Sequence, residues 1–215
     1  MDYIEYDQSI NKEEFIKRNI CLDEKSFIAD GVKLYNGVSV IGESRIGEGC
    51  QLYGYSVIEN VNLGKNVVVK SSMLSGVNIG DNSTIGPYAN IHSGSVIGKG
   101  CRIGNFVEIK KSIIGDGNKI AHLTYVGDAE IGNDCNIGCG VVFCNYNGRI
   151  KQKSYIGDKV FIGSNVNIIA PVIIADGAYI AAGSTVNKDV DVDEFVIARA
   201  RQINKKNFHN PYKNK

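Results

Sequence analysis

Aliphatic residues recur every six positions through most of this 215-residue chain, and this ladder restricts the possible folds more than any other feature. The spacing shortens by one residue at a few places, and one step, from Phe143 to Ile156, is 13 residues long. The rungs are Leu22, Ile28, Leu34, Val40, Ile46, Leu52, Ile58, Leu63, Val69, Leu74, Ile79, Ile85, Ile91, Ile97, Ile103, Ile109, Ile114, Ile120, Val126, Ile131, Ile137, Phe143, Ile156, Ile162, Ile168, Ile174, Ile180 and Val186. A spacing this regular over this length predicts a repeat protein.

A second column of small residues lies two positions before many of the rungs, for example Ser44, Cys50 and Ala89. Large inward residues that alternate with small ones, with glycine at the bends, are typical of a hexapeptide β-helix. Glycine supplies 25 of the 215 residues and proline only 3, which suits many tight turns between short strands. Three hexads close one triangular coil, so the ladder from 28 to 186 predicts an all-β solenoid of about nine coils, stacked at the ~4.8 Å strand spacing.

Residues 11–20 precede the ladder and predict a short helix. Asn11 has the side chain of an N-cap, and Glu14 with Arg18 has the four-residue spacing of a helical ion pair. The apolar side chains Phe15, Ile16 and Ile20 would lie against the first coil.

Two further segments lie outside the repeat. A polar loop over 144–155 interrupts the ladder, and long loops on rigid repeats often carry function. A basic tail ends the chain, and such a charge run is typical of a solvated terminus. We therefore divide the chain into an N-terminal extension (1–21), a β-helix domain (22–190) and a C-terminal tail (191–215).

The charge balance argues against several partners. Lys and Arg total 24 and Asp and Glu 23, so the formal net charge is +1. A near-neutral chain has no long-range field that would gather nucleic acid or an anionic membrane, and neither partner is expected. The start is acidic and no apolar run approaches the ~18 residues of a membrane span. We expect a cytoplasmic protein with six reduced cysteines, of which Cys50, Cys101 and Cys135 are buried as small apolar groups.

One region concentrates side chains that can do chemistry. His122 lies two positions after a rung and therefore off the inward columns. Counting by coils places Glu108, Lys110, Tyr125 and Asn136 within about two coils of it, just before the loop. A base, a carboxylate, an ammonium, a phenol and an amide in so short a span favour an active site over a plain surface.

Other chemistries have weaker support. A histidine-ligated metal needs several converging imidazoles, but His92 and His122 fall on different stacking columns and His209 is in the tail, so no metal site is predicted. A nucleophilic cysteine remains open, since Cys139 stacks in the column of His122. The surrounding Ile-Gly-Cys-Gly also reads as an ordinary turn.

Three segments resemble one known family. Residues 104–111 (GNFVEIKK), 121–129 (AHLTYVGDA) and 144–148 (CNYNG) resemble the acetyltransferase half of the bacterial bifunctional N-acetylglucosamine-1-phosphate uridyltransferase/glucosamine-1-phosphate N-acetyltransferase family. The resemblance runs from about residue 20 to the end and is closest over 104–199. It implies a left-handed parallel β-helix, a homotrimer, and transfer of an acetyl group from acetyl-CoA to the amine of glucosamine 1-phosphate.

The resemblance also implies roles for individual residues. His122 would be the general base and Glu108 its orienting partner. The positions matched to acceptor binding are Lys110, Tyr125, Asn136, Lys151 and His92. The positions matched to acetyl-CoA binding are Cys139, Asn145, Tyr146, Ser164, Ala182 and Arg199. The basic tail then becomes a clamp for an anionic co-substrate, and no metal is needed.

The chain departs from the family pattern in three ways. The Gly-rich Leu-x-Ala-Gly-x-Gly-Thr-Arg-Met motif of the nucleotidyltransferase half is absent from the sequence, so uridyltransferase activity is not expected. His92 stands where the family has an arginine that contacts the acceptor, and Cys139 where it usually has alanine. Two alternatives stay open: another amino sugar or nucleotide-linked amino sugar as acceptor, or a non-catalytic trimerisation module for a separate nucleotidyltransferase.

Overall fold

A computed structural model describes residues 3–206, which form a left-handed parallel β-helix of hexapeptide coils. Three sheets, A, B and C, run along the three sides of the coil stack. The strands of sheet A are Tyr3–Glu5, Lys33–Tyr35, Gln51–Leu52, Val68–Val69, Thr84–Ile85, Arg102–Ile103, Lys119–Ile120, Asn136–Ile137, Phe161–Ile162, Tyr179–Ile180 and Phe195–Val196. The strands of sheet B are Cys21–Leu22, Ser39–Ile41, Val57–Glu59, Met73–Ser75, Asn90–Ile91, Glu108–Lys110, Tyr125–Gly127, Val142–Cys144, Asn167–Ile169 and Thr185–Val186. The strands of sheet C are Phe27–Ile28, Arg45–Ile46, Asn62–Leu63, Asn78–Ile79, Val96–Ile97, Ile113–Ile114, Ala129–Ile131, Ser154–Ile156 and Ile173–Ile174.

The core confirms the six-residue ladder. Each rung pairs in register with the rung one coil away, as Ile103 does with Ile120 and Ile120 with Ile137. The rungs from Ile28 to Val186 are buried, and so is every member of the small column. The large and small inward side chains of each coil pack on equivalent side chains of the coils before and after it. The repeat therefore produces a continuous core.

The N-terminal extension differs from the prediction. The helix is Lys12–Lys17, capped by the Asn11 side chain, which accepts from the Glu13 N–H at 3.0 Å. It ends before residue 20 because Asn19 has a φ of 55°, outside the helical range. Ile16 is 77% exposed, so the predicted apolar side consists of Phe15 and Ile20 alone.

A strand that the ladder did not predict lies before this helix. Tyr3–Glu5 pairs antiparallel with Lys33–Tyr35, against the direction of the coils. At the other end, Phe195–Val196 extends sheet A beyond residue 190, where the predicted β-helix domain ends. His209 and the last part of the basic tail lie outside the described residues.

Two general expectations bear on the site. All six cysteines are free thiols, and Cys50, Cys101 and Cys135 are buried as predicted. No helix within residues 3–206 is long and apolar enough to cross a membrane.

Candidate active site

The predicted site residues lie on two edges of sheet B. We call the turns from sheet A into sheet B the AB corner, and those from sheet B into sheet C the BC corner. The turn at 121–124 belongs to the AB corner, since it leads into the strand Tyr125–Gly127. The loop at 145–153 belongs to the BC corner, because it leads from Val142–Cys144 into sheet C.

His122 is exposed at the AB corner in a strained stretch of backbone. Its φ is 63° and that of Leu123 is 56°, a left-handed conformation that residues with side chains seldom adopt. The Asn105 carbonyl, one coil earlier, accepts hydrogen bonds from both N–H groups, at 3.0 and 3.4 Å. Strain that neighbouring coils hold in place is common at functional sites.

A groove of about 290 Å³ opens beside this turn. The predicted residues that line it are His122, Asn136, Cys139 and Ser164. Arg102 and Lys119 line it as well, although they belong to none of the motifs noted in the sequence. Their position directly before a rung, in the column that leads to Asn136, was the signal available.

Successive coils continue this groove along the AB corner. One hydrogen bond joins each turn to the next, with donor–acceptor pairs Gly140 to His122 (2.9 Å), Asn165 to Cys139 (2.7 Å) and Gly183 to Ser164 (2.8 Å). Ala182 is exposed beside Gly183, and the Arg199 Cδ lies 3.5 Å from where a Cβ on Gly183 would stand. The predicted acetyl-CoA residues on this corner therefore form one strip that begins at His122 and ends at Arg199.

Within one chain, Glu108 contacts His92 and not His122. Its carboxylate lies 2.9 Å from the His92 Nε2, and both side chains are partly buried. The pairing with His122 is not made within one chain, because Glu108 projects from sheet B toward the BC corner of the preceding coil. The His122 ring has no hydrogen-bond partner within residues 3–206. His92 and Lys110 lie one coil apart in the same column, since the His92 N–H donates to the carbonyl of Ile109 at 2.9 Å.

Asn145 anchors the loop at the BC corner. Its side chain is buried, and its Nδ2 donates to Asp128 at 2.5 Å and to the Tyr125 hydroxyl at 3.4 Å. Tyr146 and Lys151 form an antiparallel bridge beyond this anchor and are exposed. The amide of Asn145 is thus used inside the chain, whereas Tyr146 and Lys151 are open to a ligand.

Lys153, in the same loop, already has an anionic partner within the chain. Its Nζ lies 2.6 Å from Glu130, and this hydrogen bond raises the pKa of the lysine. The loop itself is slightly shorter than the predicted 144–155, because regular strand pairing resumes at Ser154.

The predicted site residues thus fall into two groups. The AB corner and the adjoining face of sheet A hold His122, Asn136, Cys139, Ser164, Ala182 and Arg199. Sheet B and the BC corner hold His92, Glu108, Lys110, Tyr125, Asn145, Tyr146 and Lys151. The two groups lie on neighbouring coils, as the residue counting predicts. Within one chain, however, the width of sheet B separates them.

The cysteines differ sharply in environment. Burial raises the pKa of Cys50 and of Cys135 to about 11, so these thiols stay protonated. Cys139 is exposed in the groove beside His122. Among residues 3–206, no three His, Cys, Asp or Glu side chains are arranged to hold a metal ion.

Family models match the repeat directly. The model described as bacterial transferase hexapeptide (six repeats) matches residues 76–111 and 153–188. The model described as hexapeptide repeat of succinyl-transferase matches residues 56–87. The chain belongs to the hexapeptide transferase family.

Relatives within this family agree with the resemblance in the motifs. The bifunctional protein GlmU of Clostridium beijerinckii is 52% identical over 163 residues, which are 76% of this chain and 36% of that protein. The bifunctional protein GlmU of Clostridium botulinum is 49% identical over 181 residues, or 84% of this chain and 40% of that protein. The predicted family is thus confirmed, and the chain spans about two fifths of the length of these relatives.

Solved structures of two acyltransferases share the fold. UDP-N-acetylglucosamine acyltransferase from Campylobacter jejuni has a TM-score of 0.69 at 22% identity, covering 78% of this chain and 71% of that one. The corresponding Francisella novicida enzyme has a TM-score of 0.59 at 24% identity, covering 83% of this chain and 65% of that one. At these identities the likeness concerns the β-helix alone.

Proposed function

We propose that the chain is an acetyl-CoA-dependent N-acetyltransferase that converts glucosamine 1-phosphate to N-acetylglucosamine 1-phosphate. The observation that carries the proposal is the groove at the AB corner, where an exposed histidine stands at the start of a strip of predicted acetyl-CoA residues. The similarity to proteins named GlmU supports the same reaction class.

The groove has the groups that amide formation needs. His122 takes a proton from the acceptor amine as its nitrogen attacks the thioester carbonyl carbon and forms the C–N bond. The carbonyl oxygen becomes an oxyanion, and the N–H of Cys139, which has no acceptor within residues 3–206, is available to it. Collapse of this intermediate breaks the C–S bond, and the coenzyme A thiolate leaves with the proton returned from His122.

A thiol-release assay with acetyl-CoA and a panel of amino sugars tests the proposal. We expect free thiol to form with glucosamine 1-phosphate far faster than with glucosamine or with nucleotide-linked amino sugars. Faster release with one of those others would reassign the acceptor. No release with any amino sugar would leave the non-catalytic module as the better account.

Labelling of the cysteines tests the acetyl-CoA strip without any turnover. Iodoacetamide should alkylate the exposed Cys139 and Cys21 and spare the buried Cys50 and Cys135. Coenzyme A at ten times its Kd should slow labelling of Cys139 about tenfold, because only about a tenth of the sites remain free. Peptide mapping by mass spectrometry measures both rates. Cys21 is the matched control, and equal slowing of both thiols, or of neither, would contradict the strip.

We further propose that the protein is a homotrimer with its active sites between subunits. The division of the site supports this arrangement, since one chain presents the His122 group and the Lys110 group on opposite edges of sheet B. In a closed ring of three chains, the AB corner of one chain meets the BC corner of the next. The loop residues Tyr146 and Lys151 would then reach the groove of the neighbouring subunit.

An exposed ridge along the AB corner supports the same assembly. Tyr55, Tyr88, Phe106 and Leu123 stand in equivalent turns, and they are 80%, 61%, 52% and 67% exposed. Each has a φ between 56° and 61°, which costs about 1–2 kcal/mol for a residue with a side chain. The Tyr88 and Phe106 rings stack with centroids 5.6 Å apart. Four large apolar side chains, three of them aromatic, that are exposed on strained backbone along one corner indicate a surface that another chain covers.

The ridge predicts how assembly is lost. Replacing both Tyr88 and Phe106 by asparagine, which tolerates the left-handed conformation, should leave the coils folded. The protein concentration at which the trimer dissociates should rise by at least about 10²-fold, because buried aromatic anchors dominate the binding energy of interfaces. Sedimentation would then find the 23.3 kDa monomer where the wild type gives three times that mass. Tyr179→Asn, an exposed aromatic on sheet A, is the control and should stay trimeric. A double variant that stays trimeric would refute the ridge as an interface.

A further inference from the structure

Two cations lie at the end of the groove that the predicted donor strip does not use. Arg102 and Lys119 pair in register on neighbouring strands of sheet A. The rungs that follow them point inward and are fully buried, so both side chains project outward, and both are exposed. They line the same groove as His122.

This pair has no anionic partner in the described part of the chain. Neither side chain takes part in an ion pair there, whereas Lys65, Lys99 and Lys153 each pair with a carboxylate. The residues next to the pair in its column are Thr84 and Asn136, which are neutral. Like charges directly opposite each other on adjacent strands are destabilising. Two facing cations without a carboxylate therefore indicate a place for an anion.

The order of residues along the coils separates this anion from the acetyl donor. The strip of Cys139, Ser164, Ala182 and Arg199 lies on coils that follow His122. Lys119 lies in the coil of His122 itself, and Arg102 lies one coil before it. A donor thioester would approach His122 from one side, and the cation pair lies on the other side, where the acceptor must enter.

The BC corner is less suited to bind this anion than Arg102 and Lys119 are. His92, for which the family resemblance implies an arginine, contacts Glu108 at 2.9 Å. The Glu108 carboxylate offsets positive charge beside Lys110. That edge should therefore bind an anion more weakly than it would with an arginine in place of His92. Within residues 3–206, no carboxylate pairs with Arg102 or Lys119 in this way. A guanidinium with an ammonium is also well suited to the several oxygens of one phosphate group.

We propose that Arg102 and Lys119 form a phosphate subsite that holds the phosphoryl group of the acceptor while its amine lies at His122. The inference rests on the proposed acetyl transfer and adds to it the residues that select a phosphorylated amino sugar. The acetyl-CoA phosphates are the other possible source of the same chemistry. A pair that binds the acceptor phosphate would affect the KM for the acceptor, whereas a pair that binds the acetyl-CoA phosphates would affect the KM for acetyl-CoA.

Substitution of the pair separates these sources. Arg102→Gln and Lys119→Gln remove the charges at similar side-chain length, and Arg45→Gln on sheet C is the matched control. We expect the KM for glucosamine 1-phosphate to rise at least about tenfold in each variant, the loss of one charge-assisted hydrogen bond. The KM for acetyl-CoA and the rate with unphosphorylated glucosamine should not change. Inorganic phosphate should compete with the acceptor in the wild type, with an inhibition constant that rises in the variants by a similar factor.

An acceptor KM within twofold of the wild type in both variants would overturn the subsite. A rise in the acetyl-CoA KM alone would assign the pair to the donor and overturn it as well. If the wild type transfers no acetyl group to any amino sugar, the proposed reaction fails separately. A ³¹P titration with inorganic phosphate then decides, since equal binding by wild type and the Arg102→Gln variant would refute the pair as a phosphate subsite.

Discussion

Replacing His122 by asparagine is expected to lower acetyl transfer by about 10²–10⁴-fold, the contribution of one positioned general base. The amide cannot accept the amine proton that the imidazole accepts near neutral pH. Asparagine tolerates the left-handed φ of this position, and Asn66 and Asn165 already adopt it elsewhere in the coils. The loss should therefore reflect chemistry and not folding. Turnover is followed by thiol release, and folding by thermal unfolding of the same samples.

Lys159→Asn is the matched control for this substitution. Lys159 has a φ of 56°, so it places asparagine in the same backbone conformation in a turn between sheets C and A. It should keep wild-type turnover and an unchanged Tm. A His122→Asn variant that folds and retains turnover within about threefold would remove the histidine from the mechanism. His122→Gly, which relieves the strained φ altogether, repeats the test if the asparagine variant unfolds.

Mixing two inactive variants is expected to restore about a quarter of the wild-type activity, because each site in a ring of three takes one edge from each of two chains. His122→Asn damages the AB corner and leaves the BC corner intact. Lys110→Met does the reverse. In trimers assembled at random from equal amounts, about one site in four combines an intact AB corner with an intact BC corner. Each variant alone gives none.

This experiment distinguishes sites between chains from sites within one chain. Co-refolded variants with different affinity tags allow the mixed trimers to be isolated before thiol release is measured. Mixing His122→Asn with Asn136→Ala is the control, because both changes lie on the AB side and no combination restores a whole site. Activity in the first mixture no higher than in the control would place the complete site within a single chain.

The coil pattern could be predicted from the sequence because it repeats. A large apolar residue occupies every rung from Ile28 to Val186, and each of them is buried. This regular pattern determines which strands pair and how the coils stack. Counting residues along the repeat also places Lys110 one coil after His92, as the strand register does. The antiparallel strand Tyr3–Glu5 could not be found this way, since it pairs against the repeat and carries no hexad.

The candidate site was less predictable, because height along the coils says little about which edge a side chain reaches. Glu108 and His122 are within one coil of each other in height, yet Glu108 reaches toward the opposite edge and contacts His92. Long side chains choose partners by local geometry that spacing does not encode. The backbone conformation could not be predicted either, because the residue types at Tyr88 and Phe106 do not indicate a left-handed φ. Arg102 and Lys119 carry no motif at all.

The antiparallel strand has a consequence for how the molecule behaves at high concentration. A stack of identical coils ends in strands whose free N–H and C=O groups can template another stack, which is the route to fibres. At the N-terminal end, Tyr3–Glu5 runs against the coils and occupies the edge of Lys33–Tyr35. The helix Lys12–Lys17 lies beside the first coil, with Phe15 packed on the core. A second molecule that approaches sheet A at this end meets a strand of the opposite direction, so it cannot extend that sheet in the parallel register of the repeat.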